Sequence, residues 1–255
     1  MTDTIAVERH GAVARIMLNR PERLNALTAE MLVALRAAIE EAPMSGARAI
    51  LLCGSGRGFC AGADLLAGGG GDPGAKLARY YNPVVEAIAA APIPVVAAVQ
   101  RVAAGGGVGL ALAADIVVME RNARFTFPFL GLGLVPDVGV SWALARAMGK
   151  ARALDHFLTG EDLQAHDAFA AGVVSRLAEE GEVLNDAAQL ADRLAAMPTI
   201  ALGLVRSQVQ SALTSTLGDL LALEAANQTI AGSTADYREA IAAFRDRRQP
   251  RFGGR

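Results

Sequence analysis

The chain has 255 residues, of which 53% are hydrophobic and 20% charged, so it can bury a large core and is not an intrinsically disordered chain. Its 24 basic and 26 acidic residues give a formal charge of -2 without a long block of one sign, which argues against a nucleic-acid partner. Cys53 and Cys60 have no histidine at metal-ligand spacing, so we interpret them as buried structural thiols and expect no metal.

The N-terminal third predicts a hairpin followed by a helix. Apolar residues alternate over residues 5–18 around Gly11, which is typical of two strands joined by a turn. A helix is predicted from Thr28, the N-cap, with Leu32, Leu35 and Ile39 on one face.

Residues 1–4 lack the basic and apolar regions of a leader, and no apolar run reaches the roughly 18 residues that span a bilayer. We therefore expect a cytoplasmic protein without a membrane partner.

Two short apolar strands, predicted over residues 47–53 and 94–99, each lead towards a glycine-rich element. The first element is GFCAGAD at residues 58–64, and the second is AGGG at residues 104–107. Both offer backbone N–H groups without bulky side chains, and a pair of such donors can stabilise one developing oxyanion. The apolar segment after the second element predicts a helix that begins near Gly106, where the orphan amides favour an anion.

The remaining segments complete the prediction of elements. Residues 68–74, which contain four consecutive glycines, predict a mobile surface loop before a helix. A strand is predicted over residues 116–119, and Ser141 is predicted to cap a helix that runs to Met148. From about residue 150 the pattern is helical and no further strand is predicted. The fold class is therefore α/β, with a core over residues 1–195 and a helical C-terminal region over residues 196–255.

Several ordered motifs resemble those of the crotonase, or enoyl-CoA hydratase/isomerase, superfamily. They are PERLNAL at 21–27, GFCAGADL at 58–65, AGGG at 104–107, ADI at 114–116, LGLVPDVG at 132–139 and AFRDRRQPRF at 243–252. The resemblance covers nearly the whole chain. It implies a spiral of ββα repeats, a C-terminal region that forms a homotrimer or homohexamer, and an acyl-CoA thioester as substrate, with no separate cofactor.

The resemblance also implies roles for individual residues. The backbone amides of Ala63 and Gly106 would form the oxyanion hole. The adenine part of coenzyme A would lie near the backbone of Ala61, Asp64 and Leu65, and Arg23 would meet its phosphates. The two glutamates of enoyl-CoA hydratases correspond here to Gly109 and Phe129.

Asp137 remains as the candidate acid–base residue, in a context that resembles the isomerase branch of the superfamily. A double-bond shift needs one base that removes a proton from one carbon and returns it to another. We expect Phe127, Phe129, Leu134 and Val135 to surround this carboxylate and raise its pKa. The prediction is an acyl-CoA isomerase that shifts a double bond, or isomerises a ring epoxide, through a thioester dienolate.

Alternatives remain open at this point. Asp137 in a Pro-Asp context also suits an ordinary turn. The chain could be a non-catalytic CoA-thioester-binding protein, or could run another enolate reaction such as hydrolysis or hydration on the same scaffold. Residues 56–61 match G-x-G-x-x-A, but neither an amphipathic helix nor a ribose-binding acid follows, so NAD binding is disfavoured.

Overall fold

The computed structural model describes residues 4–67 and 71–255. The strands are β1 (Ile5–His10), β2 (Val13–Leu18), β3 (Ala49–Gly54), β4 (Val95–Val99), β5 (Val102–Ala104), β6 (Ile116–Glu120), β7 (Arg124–Thr126), β8 (Leu163–Gln164) and β9 (Arg176–Ala178). The helices are α1 (Ala29–Met44), α2 (Pro73–Lys76), α3 (Asn82–Ala90), α4 (Gly106–Ala113), α5 (Val140–Thr159), α6 (Ala165–Ala170), α7 (Val183–Ala195), α8 (Thr199–Ala212), α9 (Leu217–Gly232) and α10 (Ala235–Asp246). A π-helical turn (Leu77–Tyr81) joins α2 to α3, so the predicted helix after the glycine loop is confirmed. The loop itself falls in part on residues 68–70, outside the described ranges.

The strands form two sheets. The larger has the order β1-β2-β3-β4-β6-β9, in which β1 and β2 are antiparallel, as the predicted hairpin requires, and the other pairs are parallel. The smaller has the order β5-β7-β8. Strand β3 is buried on both faces, because α1 and α3 cover one side of the sheet and α7 covers the other. The predicted α/β class is confirmed.

Local sequence explains where several elements begin. The Thr28 side chain accepts a hydrogen bond from the Met31 amide at 3.2 Å, so the predicted N-cap of α1 is confirmed. The prediction that Ser141 caps a helix is wrong, because α5 begins one residue earlier, after Gly139 in the left-handed region. This helix also continues beyond Met148 to Thr159, across a break at Gly149.

The prediction that strands end near residue 150 is also wrong. Strands β8 and β9 lie beyond that point, and each is only two or three residues long. They exist because β7 and β6 supply partners for them, since β7 pairs with β8 and β6 with β9. Segments this short carry too little alternation to be recognised without their partners.

The C-terminal helices pack against the core through a few polar contacts and leave many apolar side chains exposed. Arg206 of α8 forms an ion pair with Asp115 at 2.6 Å and also donates to the carbonyls of Ala91 and Ile88. The exposed apolar residues of this region include Val205, Val209, Leu213, Leu217, Leu221, Ile230 and Phe244. No helix in the described ranges has the length and apolar character needed to cross a membrane.

Candidate active site

The first glycine-rich segment, residues 58–64, is organised by a buried asparagine. The Asn25 amide nitrogen donates to the carbonyls of Ser55, Gly58 and Phe59 at 2.9–3.0 Å. Its side-chain oxygen accepts from the Arg20 amide at 2.9 Å. The sequence motif contained this asparagine but gave no sign of its role, which is to fix the backbone that carries the glycines.

The second glycine-rich segment lies directly against the first. The Ala104 amide donates to the Cys60 carbonyl at 2.9 Å. A Cβ atom placed on Gly62 would lie 2.7 Å from the Ala104 carbonyl oxygen and 3.5 Å from the Gly106 nitrogen. Gly62 has a φ of +85°, so both its conformation and this close approach require glycine.

The amides of Ala63 and Gly106 therefore lie on adjoining loops. Gly106 is the first residue of α4, as predicted, and its N–H belongs to the orphan donors of that helix. Among the described residues, neither amide donates a backbone hydrogen bond outside the regular elements. Ala63 is exposed and Gly106 is buried, so the two donor residues lie at different depths. Two unpaired amides on touching loops can bind one oxygen anion.

Asp137 lies between the 3-10 turn Leu130–Leu132 and helix α5. Its side chain is half-buried, and its Oδ1 atom has no hydrogen-bond partner among the described residues. Burial raises the pKa of this carboxyl to about 6. A carboxyl of this kind exchanges protons near neutral pH, which is the property that a general base needs.

The apolar residues expected around Asp137 are buried to different degrees. Phe127 and Phe129 are buried, whereas Leu134 is 37% and Val135 is 72% exposed. Val138, which directly follows Asp137, is buried instead and packs on α4. The predicted rise in pKa is present, with burial as its main cause.

Val138 also occupies the space next to Gly109, where hydratases of the resembling family carry their first glutamate. A Cβ atom on Gly109 would lie 2.3 Å from the Val138 carbonyl oxygen and 2.6 Å from its Cβ. No side chain fits there without moving the backbone. At the second glutamate position, Phe129 is buried, and its ring lies 3.9 Å from the place a Cβ on Gly105 would take. Both positions that the resemblance links to the hydratase glutamates are therefore closely packed.

Tyr81 is a residue of this site that the sequence reasoning placed only on a helix face. Its ring lies 3.6 Å from the place a Cβ on Gly106 would take. Burial, followed by the charges of Asp137, Cys60 and Asp64, raises the pKa of Tyr81 to about 12. The phenol therefore lies beside the Gly106 end of the donor loops and stays protonated. Nothing in the local sequence distinguishes it from Tyr80.

The residues that the resemblance links to coenzyme A lie on two neighbouring segments. The Ala61 amide donates to the Leu24 carbonyl at 2.9 Å, which places it beside the exposed turn that contains Arg23. The Asp64 amide donates to the Leu27 carbonyl at 3.0 Å, and the adjacent Leu65 is 61% exposed. The structure brings these four residues together at one edge of the donor loops.

The Asp64 carboxylate itself is engaged within the protein. It accepts from the amides of Ala67 and Leu66 at 3.0 and 3.1 Å and pairs with Arg20 at 2.9 Å. These contacts, the Ala67 amide first, hold the pKa of Asp64 below its ordinary value despite some burial. Only the backbone of this residue is available to a ligand. Arg20, which sequence reasoning missed, ties the residues 20–27 to this loop.

Among the described residues, the cysteines and acidic side chains do not form a group that could hold a metal ion. Cys53 and Cys60 are free and buried, and burial raises the pKa of their thiols to about 11 and about 12. Within residues 4–67 and 71–255, no three or more His, Cys, Asp or Glu side chains are placed to hold a metal ion.

Comparison with known proteins places these features in a family. The family model for enoyl-CoA hydratase/isomerase matches residues 8–255. The chain is 42% identical to the 1,2-epoxyphenylacetyl-CoA isomerase of Escherichia coli K12, with 95% of each chain covered. It is 40% identical to a probable enoyl-CoA hydratase of Rhodobacter capsulatus, covering 99% of this chain and 98% of that one. Among solved structures, the enoyl-CoA hydratase subunit I of Geobacillus kaustophilus superposes with a TM-score of 0.91 at 35% identity, covering 99% of this chain and 98% of that chain.

Proposed function

The chain belongs to the enoyl-CoA hydratase/isomerase family, and from this premise we propose that it is an acyl-CoA isomerase with a single catalytic carboxylate, Asp137. It has the crotonase fold and is an acyl-CoA enzyme of that superfamily. Which reaction it catalyses depends on the acid–base groups, since family members share the scaffold and differ in these side chains. The proposal therefore rests on the side chains around the donor loops.

In the proposed reaction, the amides of Ala63 and Gly106 donate to the thioester oxygen. The Asp137 carboxylate removes a proton from one carbon of the acyl chain, and the electron pair moves into a dienolate whose negative charge lies on that oxygen. The protonated Asp137 then returns the proton to a second carbon, and the double bond is left at its new position. Asp137 takes up one proton and gives one back, and it can exchange with solvent in between, so one carboxylate is sufficient.

The observation that carries the proposal is the close packing at the two positions where the resemblance places the hydratase glutamates. Val138 fills the space beside Gly109, and Phe129 is buried at the second position. Addition of water needs groups that orient the water and deliver its proton, and this pair is missing here. Asp137, which directly precedes Val138 in the chain, keeps a half-buried carboxyl with a raised pKa. The 42% identical relative is a 1,2-epoxyphenylacetyl-CoA isomerase, which supports the same class of reaction and adds ring epoxides to the substrates to be tested.

Coenzyme A binding and assembly complete the proposal. We propose that the backbone around Ala61, Asp64 and Leu65 receives the adenine part and that Arg23 meets the phosphates. Their position beside the donor loops supports this, because the thioester then reaches the amides from the same edge.

We also propose that the C-terminal region, residues 196–255, forms a homotrimer or homohexamer through its exposed apolar side chains, since a patch of this kind marks an interaction surface.

The test is a product assay in H2(18)O and, separately, in D2O, with 2-enoyl-, 3-enoyl- and ring-epoxide CoA thioesters. An isomerase moves the double bond or opens the epoxide ring and exchanges protons, without incorporating labelled oxygen into a hydroxyl group. Labelled hydroxyacyl-CoA would show a hydratase instead, and release of free CoA would show a hydrolase. Binding of the thioesters without turnover or exchange would leave a non-catalytic CoA-thioester-binding protein.

A further inference from the structure

Gln100 lies in the turn between β4 and β5 and is half-buried. Its Nε2 atom donates to the carbonyl of Gly54 at 2.7 Å, to that of Gly58 at 3.2 Å and, more weakly, to that of Gly56 at 3.4 Å. Three carbonyl oxygens around one atom require a donor, so this end of the side chain is the NH2 group. Gln100 therefore holds the backbone that leads into the first glycine-rich segment.

The turn that Gln100 holds is crowded with backbone carbonyls. A Cβ atom on Gly54 would lie 2.4 Å from the Phe59 carbonyl oxygen and 2.8 Å from that of Gly58. The side-chain amides of Asn25 and Gln100 both donate to the Gly58 carbonyl, at 3.0 and 3.2 Å. Loss of a donor here leaves carbonyl lone pairs unsatisfied away from bulk water, so the turn has to move to satisfy them again.

The backbone of Gln100 connects the two donor segments. Its carbonyl accepts from the Phe59 amide at 3.2 Å and from the Val102 amide at 2.6 Å. Phe59 belongs to the loop that continues to Ala63, and Val102 is the first residue of β5, the strand that precedes Gly106. One residue is thus bonded to both of the segments that carry the candidate oxyanion donors.

The turn is also anchored on its other side. Arg101 has a φ of +52°, and its amide donates to Glu120 Oε2 at 3.2 Å. Glu120 is only 4% exposed and also accepts from the Gly181 amide at 2.7 Å. The Arg101 carbonyl accepts from the Arg124 amide at 2.9 Å. Because β6 and β7 hold the turn in this way, the Gln100 side chain acts from a fixed base.

We infer that Gln100 is a positioning residue of the candidate site, which sets the distance between the Ala63 and Gly106 amides by holding both donor segments at once. Two donors stabilise one oxygen anion only when both lie within hydrogen-bond distance of it. A small displacement of either segment therefore weakens one of the two bonds. This inference rests on the proposed function, in which these amides bind the thioester oxygen.

The first experiment measures the strength of the two donors without turnover. Hexanoyl-CoA labelled with 13C at the thioester carbonyl has no double bond or epoxide to isomerise, and infrared difference spectroscopy reports its carbonyl stretch in the bound state. Hydrogen bonds from the amides lower this frequency relative to that of the free thioester. We expect Gln100→Met, which keeps the length of the side chain and removes the NH2 group, to lose roughly half of this lowering, since one of two bonds is weakened. An equal lowering in wild type and Gln100→Met would overturn the inference.

Gln210 provides the matched control. Its side-chain amide also donates to a backbone carbonyl, that of Ala89 at 3.3 Å, but it lies on α8, outside the donor segments. Gln210→Met should leave the carbonyl frequency of the bound thioester unchanged. An equal loss in both variants would show that the effect does not come from the Gln100 contacts and would refute the inference.

Gln100→Asn covers the case in which Gln100→Met does not fold, which thermal unfolding reports. This variant keeps the NH2 group on a side chain that is one methylene shorter. It should fold and lose a smaller part of the frequency lowering. With Gln100→Met unfolded, a wild-type frequency in Gln100→Asn would show that the donors do not depend on the reach of this side chain, and it would overturn the inference.

Turnover separates this inference from the proposed reaction. The full oxyanion charge develops only in the transition state, so Gln100→Met should lower kcat about 10-fold, less than complete loss of a donor would, and leave KM within about twofold. A frequency loss in a protein that turns over no acyl-CoA thioester would preserve the positioning role and refute the isomerase. Turnover that requires Asp137, with an unchanged frequency and kcat in Gln100→Met, would preserve the isomerase and refute the positioning role. A wild type that leaves the carbonyl frequency unaltered would refute both, since the amides would then not bind the thioester oxygen.

Discussion

The two halves of the candidate site are built in different ways. The donor half consists of backbone held against backbone: a Cβ on Gly107 would lie 2.6 Å from the Cys60 carbonyl oxygen, and one on Gly62 would lie 2.7 Å from that of Ala104. The acid–base half depends on one side chain, Asp137, between exposed Val135 and buried Val138. A site of this design keeps its oxyanion-binding amides fixed by packing, while a change of one side chain can alter the reaction.

The acid–base half also stores backbone strain, which the donor half avoids by using glycine. Val138 has a φ of +50°, a region that β-branched residues rarely adopt and that costs about 1–2 kcal/mol. Its carbonyl and side chain rest on Gly109, so this glycine is what allows the strained valine to pack. Asp137 owes its position to this contact. We therefore expect turnover to be sensitive to loss of the carboxylate in the acid–base half and to added side-chain atoms in the donor half.

Asp137→Asn is expected to have the largest effect on turnover. Asparagine keeps the shape but cannot take up a proton, so isomerisation should fall by on the order of 10³-fold, within the range for a general base. Initial rates with the best thioester of the product assay measure this loss. Asp155→Asn, at an exposed position of α5, is the control and should retain full rate. Equal rates in wild type and Asp137→Asn would reduce Asp137 to a turn residue.

Gly62→Ala tests the donor half and should have the next largest effect. The added methyl group would push on the Ala104 carbonyl and the Gly106 nitrogen, so kcat should fall about 10²-fold, as when one oxyanion donor is lost. Gly181→Ala is matched, since Gly181 has a φ of +84° and no atom within 4 Å of the added Cβ. The Gly181→Ala variant therefore has the conformational cost of alanine at a positive φ without the steric clash. If both variants kept wild-type kcat, the close approach at Gly62 would not control the donors.

The pH dependence of the rate should sharpen the contrast, because backbone amides do not titrate in this range. Burial raises the pKa of Asp137 to about 6, and a base acts only when it is deprotonated. Below pH of about 6, kcat/KM should therefore fall close to tenfold per unit, and it should be level above that pH. A profile that stays level down to about pH 4 would show that no carboxyl with a raised pKa limits the reaction.

Local signals in the sequence were sufficient for several elements of the fold, including the helix start at the donor half. The Thr28 cap, the hairpin around Gly11 and the start of α4 at Gly106 were all predicted, because a cap, a turn and a helix N-terminus depend on neighbouring residues. The glycine-rich elements were recognisable for the same reason. Glycines at the ends of buried strands show where backbone must approach backbone closely.

The acid–base half was predicted less completely, because its properties arise from contacts between distant segments. Asp137 was singled out through the motif that resembles the family, but the exposure of Leu134 and Val135 was not foreseen, and the packing of Val138 on Gly109 had no local signal. Tyr81 was missed as a site residue, since it is 56 positions from Asp137 in the sequence and looks like any aromatic residue on a helix. Only the fold places these residues together.

The smallest expected effect is on the stability of Asp137→Asn. This substitution should lower turnover but raise the free energy of unfolding at high pH. The folded protein binds the Asp137 proton more tightly than the unfolded chain does, because burial raises the pKa of this carboxyl to about 6. The wild type is therefore relatively most stable below the ordinary pKa of aspartate and loses that stability as the pH rises through about 6. Asparagine carries no charge, so at pH 8 Asp137→Asn should be more stable than wild type by about 1–2 kcal/mol, after allowance for the exposed part of the side chain. Urea unfolding of both proteins at pH 8 and pH 4 measures the difference, which should nearly vanish at pH 4. A wild type that is the more stable protein at pH 8 would mean that its carboxylate makes stabilising contacts, and Asp137 would then belong with Asp64 as a structural residue.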